Sequence, residues 1–307
     1  HPMNLGTQPQ LVLDKADLVL VVDCEVPWVP DRGPPNPSAT IIHCSSDPFF
    51  RDYPIRGFPA DMAIAAPSRR FLEALLQQLR SDAAGQLKVL KQRSYQLQQL
   101  RQVVENDFSA SRRQIETSNR THPIELAECL NEHLDASMIL VNELAVTLDS
   151  LNLQTAGSYI AGSHAGGLGF GLGAALGIKR ALPEKMVITL TGNGSYLFGN
   201  PVSAHFVGQA EQLPTLTIIA NNERWHSVHS ATAGMSPDGY SVNADTMPLV
   251  DLAPSPEFHK VIETCGGVGR LVESVQELPE AMAWAIDLGT AGRSVLLNVL
   301  TDPWDRV

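Results

Sequence analysis

Two short stretches of this chain place glycines and amide side chains where they could do chemistry. Gly192-Asn193-Gly194-Ser195 follows the apolar run Met186-Val187-Ile188-Thr189-Leu190. Asn221-Asn222 follows a second run, Leu216-Thr217-Ile218-Ile219-Ala220, about 30 residues later. Runs of this kind read as buried parallel strands. In an open α/β sheet, ligands sit outside the carboxyl ends of the strands, so neighbouring strand ends bring the two turns side by side. Glycine lets the backbone approach a phosphate closely, and the N–H groups of Gly194 and Ser195 can bind its oxygens. The side-chain carbonyls of Asn193 and Asn222 are hard ligands suited to Mg²⁺, which takes few protein side chains and completes its shell with phosphate oxygens and water. The inventory describes a metal-bridged diphosphate site. Gly-Asn-Gly alone is a common turn; the pair of turns and their spacing carry the signal.

The elements that must position these turns are legible around them. From Thr121 onward, strand and helix patterns alternate: a helix from Pro123 to about His133, a strand at Met138-Ile139-Leu140-Val141, and a Gly-rich stretch from Gly166 to Gly177 opening a helix. A helix follows from Ser203 to Gln212, and Ser294 to Leu300 forms the last strand. Such alternation predicts a parallel sheet covered on both faces. The first ~80 residues read as a separate α/β unit, with strands at Leu18–Val22 and Ala39–His43 and a helix over Phe71–Leu79. Between the two, Gln, Arg, Lys and Glu dominate, which reads as a polar helical linker. The expected organisation is therefore residues 1–85, an N-terminally incomplete α/β domain, then a linker at 86–120, then the site-bearing domain at 121–307.

Composition narrows the partners. The 307 residues are 44% hydrophobic, enough for two buried cores. A net charge of −11 argues against a nucleic-acid groove and against adhesion to an anionic membrane, both of which need basic surface. Cys24, Cys44, Cys129 and Cys265 form no close pair, so a disulfide framework or zinc knuckle is not expected; free thiols in a reducing, cytoplasmic setting are. No run reaches the roughly 18 apolar residues that a membrane span requires.

With these residues in view, the chain resembles the thiamine diphosphate (ThDP) enzyme family, whose cofactor motif is Gly-Asp-Gly followed about 30 residues later by Asn-Asn; here it reads Gly192-Asn193-Gly194 and Asn221-Asn222. The block from Gly157-Ser158-Tyr159 through Ala165-Gly166-Gly167-Leu168-Gly169 looks like the matching segment of benzoylformate decarboxylases. Val141-Asn142-Glu143 with Thr147-Leu148-Asp149 is similar to oxalyl-CoA decarboxylases. Residues ~10–80 look like the family's Rossmann-like middle domain, with Cys44-Ser45-Ser46-Asp47-Pro48 as its strand-ending turn.

The resemblance implies roles. Asn193, Asn222 and the Arg224 carbonyl would ligate Mg²⁺. Gly192, Gly194 and Ser195 would hold the diphosphate, helped by backbone from Trp225, His226 and Ser227. Gly166 and Gly167 would line the cofactor, the Gly166 carbonyl meeting its 4′-amino group. Leu168 would be the apolar wedge that bends it. His164, His226 and His229 would lie beside the pocket and Val228 would face substrate, with no catalytic residue assigned. The implied activity is decarboxylation or carboligation of a 2-oxo acid, benzoylformate decarboxylase-like first, with acetolactate synthase-like and oxalyl-CoA decarboxylase-like chemistry as alternatives. A degenerate, non-catalytic homologue is the alternative of another class. A homodimer or homotetramer is implied; FAD or ADP in the middle domain stays open.

Two departures stand out. The family's metal-binding Asp is Asn193, which brings no charge, and His226 occupies a position usually small or Gly. The family's activating Glu belongs to a pyrimidine domain for which no segment precedes His1, so the expectation is a chain that needs that domain from the same or another polypeptide and is inactive alone. Glu143 is left without a role.

Overall fold

The computed structural model describes residues 4–7, 9–30, 33–55, 57–82, 87–113, 118–162 and 167–303. The chain divides into two units, residues 1–114 and 115–307, each built on a parallel sheet flanked by helices, as the alternating pattern predicts.

In the first unit, α1 (Gln10–Leu13) precedes β1 (Leu18–Val22), β2 (Thr40–Ser45) and β3 (Met62–Ala65), followed by α2 (Ser68–Asp82) and α3 (Leu87–Arg113). The strands pair in parallel in the order β1-β2-β3. Leu13, Val21, Trp28 and Ile41 form the buried cluster, with Phe58 edge-on to Trp28 at 5.2 Å. The polar segment read as a linker is largely α3, a helix of 27 residues.

The second unit begins with α4 (Pro123–Asn131), β4 (Met138–Glu143) and β5 (Tyr159–Ala161), then α5 (Phe170–Ala181) and β6 (Met186–Gly192). α6 (Asn193–Phe198), α7 (Pro201–Ala210), β7 (Leu216–Asn221) and α8 (His226–Met235) follow. α9 (Phe258–Val261), β8 (Val268–Val272), α10 (Leu278–Thr290) and β9 (Val295–Leu300) complete it. Its six strands are all parallel, in the order β5-β4-β6-β7-β9-β8. His122 starts α4 with a capping box: its Nδ1 accepts from the Ile124 N–H, and Glu125 accepts from the His122 N–H.

Period-two alternation splits each central strand between two covered faces. Ile188, Leu190, Ile218, Leu297 and Val299 pack with Leu126, Leu130, Ala281 and Met282 from α4 and α10. On the other face Ile219 and Leu296 pack with Leu172, Tyr196 and Phe258, and Val141 and Val187 pack with Ala175. Each fully buried Leu or Ile contributes about 2 kcal/mol.

One boundary differs from the sequence reading. The glycine block does open α5, but the helix starts within it, at Phe170, and Gly169 is its N-cap with φ +87°. The left-handed turn there is one that glycine adopts at no steric cost.

Candidate functional site

Strand register sets the site. Glu143 at the tip of β4 stands opposite Thr191, and Gly192 stands opposite Ala220, so the tips of β4, β6 and β7 share one edge. The chain runs from β4 outward to β5 and then returns to the other side of β4 as β6. That reversal is the topological switch where open α/β sheets form a crevice. A cavity of about 270 Å³ lies there.

Each tip contributes to its wall. After β6 come Gly192, Asn193, Gly194 and Ser195; after β7 come Asn222, Arg224, Trp225, His226, Ser227 and Val228; Leu168 approaches from the turn before α5. All of these were singled out from sequence. Of the remaining singled-out positions, Gly167 is exposed and is not part of the wall. Gly166 and His164 fall outside the described residues. Leu144, Ala145, Thr301 and Asp302 line the cavity too, although no sequence motif marks them.

α6 and α8 both start at the cavity, and neither N-cap, Gly192 or Trp225, supplies a side-chain hydrogen bond. Asn193 is 3% exposed, and its Nδ2 lies 3.5 Å from the carbonyl oxygen of Arg224. Asn222 Oδ1 accepts from the Arg224 N–H at 3.2 Å. Three oxygen-bearing groups from two strand ends thus converge. Among the described residues, no group of three or more His, Cys, Asp or Glu side chains is placed to hold a metal.

The two asparagines of the Asn-Asn pair have different partners: Asn221 is the last residue of β7, and Asn222 begins the turn that follows it. Asn221 is fully buried: its Nδ2 donates to Ser255 Oγ at 2.9 Å and Asn298 Oδ1 at 3.1 Å, and its Oδ1 accepts from the Glu223 N–H at 3.1 Å. It pins the turn that leaves Asn222 in the cavity wall. Glu223 sits at φ +57° within that turn, and its carboxylate pairs with Arg120 at 2.5 Å. The turn is also tied by a backbone bridge between Arg224 and Asp251.

Gly194 has a reason to be glycine that differs from the one read in the sequence. A Cβ there would lie 2.5 Å from the Trp225 indole, so the ring occupies the space a side chain would need. Phe198 braces the same indole edge-on at 5.5 Å. His226 and His229, one turn apart on α8, stack at 6.3 Å with rings 8° from parallel.

Glu143 is the residue sequence reasoning passed over. It is 4% exposed, and its carboxylate accepts the N–H groups of both Gly169 and Gly171, the latter at 2.8 Å. No local signal joins it to those glycines; only the sheet brings them together.

The fold and the sequence have counterparts among known proteins. Residues 140–299 match the family described as thiamine pyrophosphate enzyme, C-terminal TPP binding domain. The large subunit of acetolactate synthase isozyme 3 from Escherichia coli is 25% identical over 278 residues, covering 88% of this chain and 45% of that protein. A 2-hydroxyacyl-CoA lyase from Oryza sativa is 24% identical over 329 residues, covering 99% of this chain and 52% of the lyase. The solved structure of a thiamine diphosphate-dependent 4-hydroxybenzoylformate decarboxylase from Rhodococcus jostii superposes with a TM-score of 0.64 over 94% of this chain and 50% of the decarboxylase. At 22% identity that likeness concerns the fold. The chain spans about half the length of the curated relatives named here.

Proposed function

The chain belongs to the thiamine pyrophosphate enzyme family, whose domain match covers more than half of its residues, and from that premise we propose that it forms the middle and diphosphate-binding part of a ThDP- and Mg²⁺-dependent enzyme that decarboxylates a 2-oxo acid. The observation that carries the reading is the convergence of Asn193, Asn222 and the Arg224 carbonyl on one cavity, with Leu168 in its wall. The donor set fits a small hard cation: two amides and a carbonyl offer oxygens, and the preference of Mg²⁺ for retained water and phosphate oxygens supplies the rest. Asn193 makes no other side-chain hydrogen bond among the described residues, so turning its amide to present Oδ1 breaks nothing else.

When bound, ThDP supplies a nucleophilic carbon and an electron sink for cleavage beside a carbonyl. The chain's own residues do the holding. Asn193, Asn222 and Arg224 fix the cation, while the backbone of Gly192, Gly194 and Ser195, with Trp225 to Ser227, takes the diphosphate. Leu168, exposed in the cavity wall, would support the cofactor's apolar middle. His226 and Val228, in the cavity wall, would face the substrate. The synthase, lyase and decarboxylase names of the related proteins fit chemistry at a carbon next to a carbonyl. Carboligation, acetolactate synthase-like, is the alternative outcome at the same site. The pyrimidine half of the cofactor would be met by a further domain in the same or another polypeptide, and a homodimer or homotetramer is the assembly this reading favours. Among the described residues no helix is long and apolar enough to cross a membrane.

Titration calorimetry with ThDP, with and without MgCl₂, tests the reading. Saturable binding that needs Mg²⁺ and is abolished by Asn222→Ala is the expected result. Heat-silent titrations in both conditions would overturn it.

A further inference from the structure

We infer that Glu143 is a positioning residue that sets the stance of Leu168, and through it the part of the cofactor beyond the diphosphate; the inference rests on the ThDP reading above. Glu143 ends β4 and is 4% exposed, a burial at which an unpartnered carboxylate would not persist. Its partners are the first N–H groups of α5: one oxygen accepts from Gly169, the other from Gly171 at 2.8 Å. These are amides that a helix start leaves without an internal partner, and a negative charge is favoured at that end of the helix dipole. Gly171 has no room for more: a Cβ would lie 2.8 Å from Glu143 Oε2 and 3.2 Å from Thr189 Cγ2.

The other side of the same turn is closed as well. At Gly169, φ is +87°, and a Cβ would meet the Gly199 nitrogen at 2.5 Å. The backbone at 169 is therefore held between the carboxylate on the β4 side and the end of α6. Leu168, the preceding residue, is 42% exposed and lines the cavity. A large apolar side chain stands out into the site because its neighbour is fixed on two sides. Glu143 itself is absent from the cavity wall, so its effect reaches the site through residues 168 and 169.

The role predicts a split that a general loss of structure would not produce. Glu143→Gln keeps one acceptor and turns an NH₂ toward the second amide, which cannot accept it. With MgCl₂ present, Kd is measured by calorimetry for ThDP and for inorganic pyrophosphate, which samples only the diphosphate cradle. In E143Q the ThDP Kd should rise by about tenfold or more, the loss of one charge-assisted hydrogen bond, while the pyrophosphate Kd stays within about twofold. Equal ThDP affinity in E143Q and wild type overturns the inference, as does a parallel loss of both ligands. Wild-type protein that binds neither probe overturns the function reading first, and the inference with it. If E143Q does not fold, Gly171→Ala is read in its place: its methyl pushes on the carboxylate while leaving the charge, and it must give the same split.

Discussion

Asn193 carries the largest chemical departure at the residue scale. In the proposed site it offers an uncharged oxygen to a divalent cation, so all three protein ligands, with Asn222 and the Arg224 carbonyl, are neutral. A carboxylate at the same place adds a full charge at ligand distance, on a residue only 3% exposed and so poorly screened by solvent. Asn193→Asp should therefore tighten Mg²⁺ by about tenfold or more, near 1.4 kcal/mol, read by titrating MgCl₂ at saturating ThDP; unchanged affinity would show that the ligand charge is immaterial. Residues 192–195 and 221–222 were legible because each turn is local and follows an apolar run. The division of labour inside Asn-Asn was not. That Asn221 is spent on Ser255, Asn298 and the Glu223 amide depends on a strand neighbour far along the chain. The Glu143 clamp was hidden for the same reason.

The elements show where local pattern suffices and where it fails. β4, β6, β7 and β9 are buried on both faces and wrote themselves as continuous apolar runs, whereas β3 and β5 are short edge strands of four and three residues without such a signature. α6 is only six residues long, so packing rather than propensity must hold it. Its anchor is Tyr196, fully buried, whose hydroxyl hydrogen-bonds His205 Nε2 of α7 at 2.9 Å. Burial holds the His205 pKa down at about 4, against 6.5 ordinarily, and burial pushes the Tyr196 phenol up. Between those two His205 values the unfolded chain binds a proton that the native protein does not. Stability is thus present in full above about pH 6.5 and falls as pH drops toward 4, by up to about 3 kcal/mol from this one group. Urea unfolding at pH 7.5 and 5 should show the drop, and His205→Gln should flatten it. An unchanged slope in the variant would place the effect elsewhere.

At the scale of the whole molecule, the described cavity-lining residues all belong to the second unit. Both faces of that unit's sheet are covered by its own helices, α4 and α10 on one and α5 and α9 on the other. Residues 115–307 expressed alone should therefore fold cooperatively and bind Mg²⁺ and pyrophosphate as the longer chain does, within about threefold, or about 0.7 kcal/mol. An unfolded product by circular dichroism would show that the first unit is needed. The two-unit α/β plan was readable from the alternation of patterns, because parallel sheets need a crossover helix between strands. The start of α5 at Phe170 was not, since runs of glycine mark turns and helix packing alike.

The indole seated on Gly194 has an evolutionary consequence. Any descendant that puts a methyl at 194 must first surrender bulk at 225, and Phe198 then loses the ring it leans on. Position 225 can keep its indole only for as long as 194 stays bare. The three sites share one fixed allotment of space and should be inherited as a set.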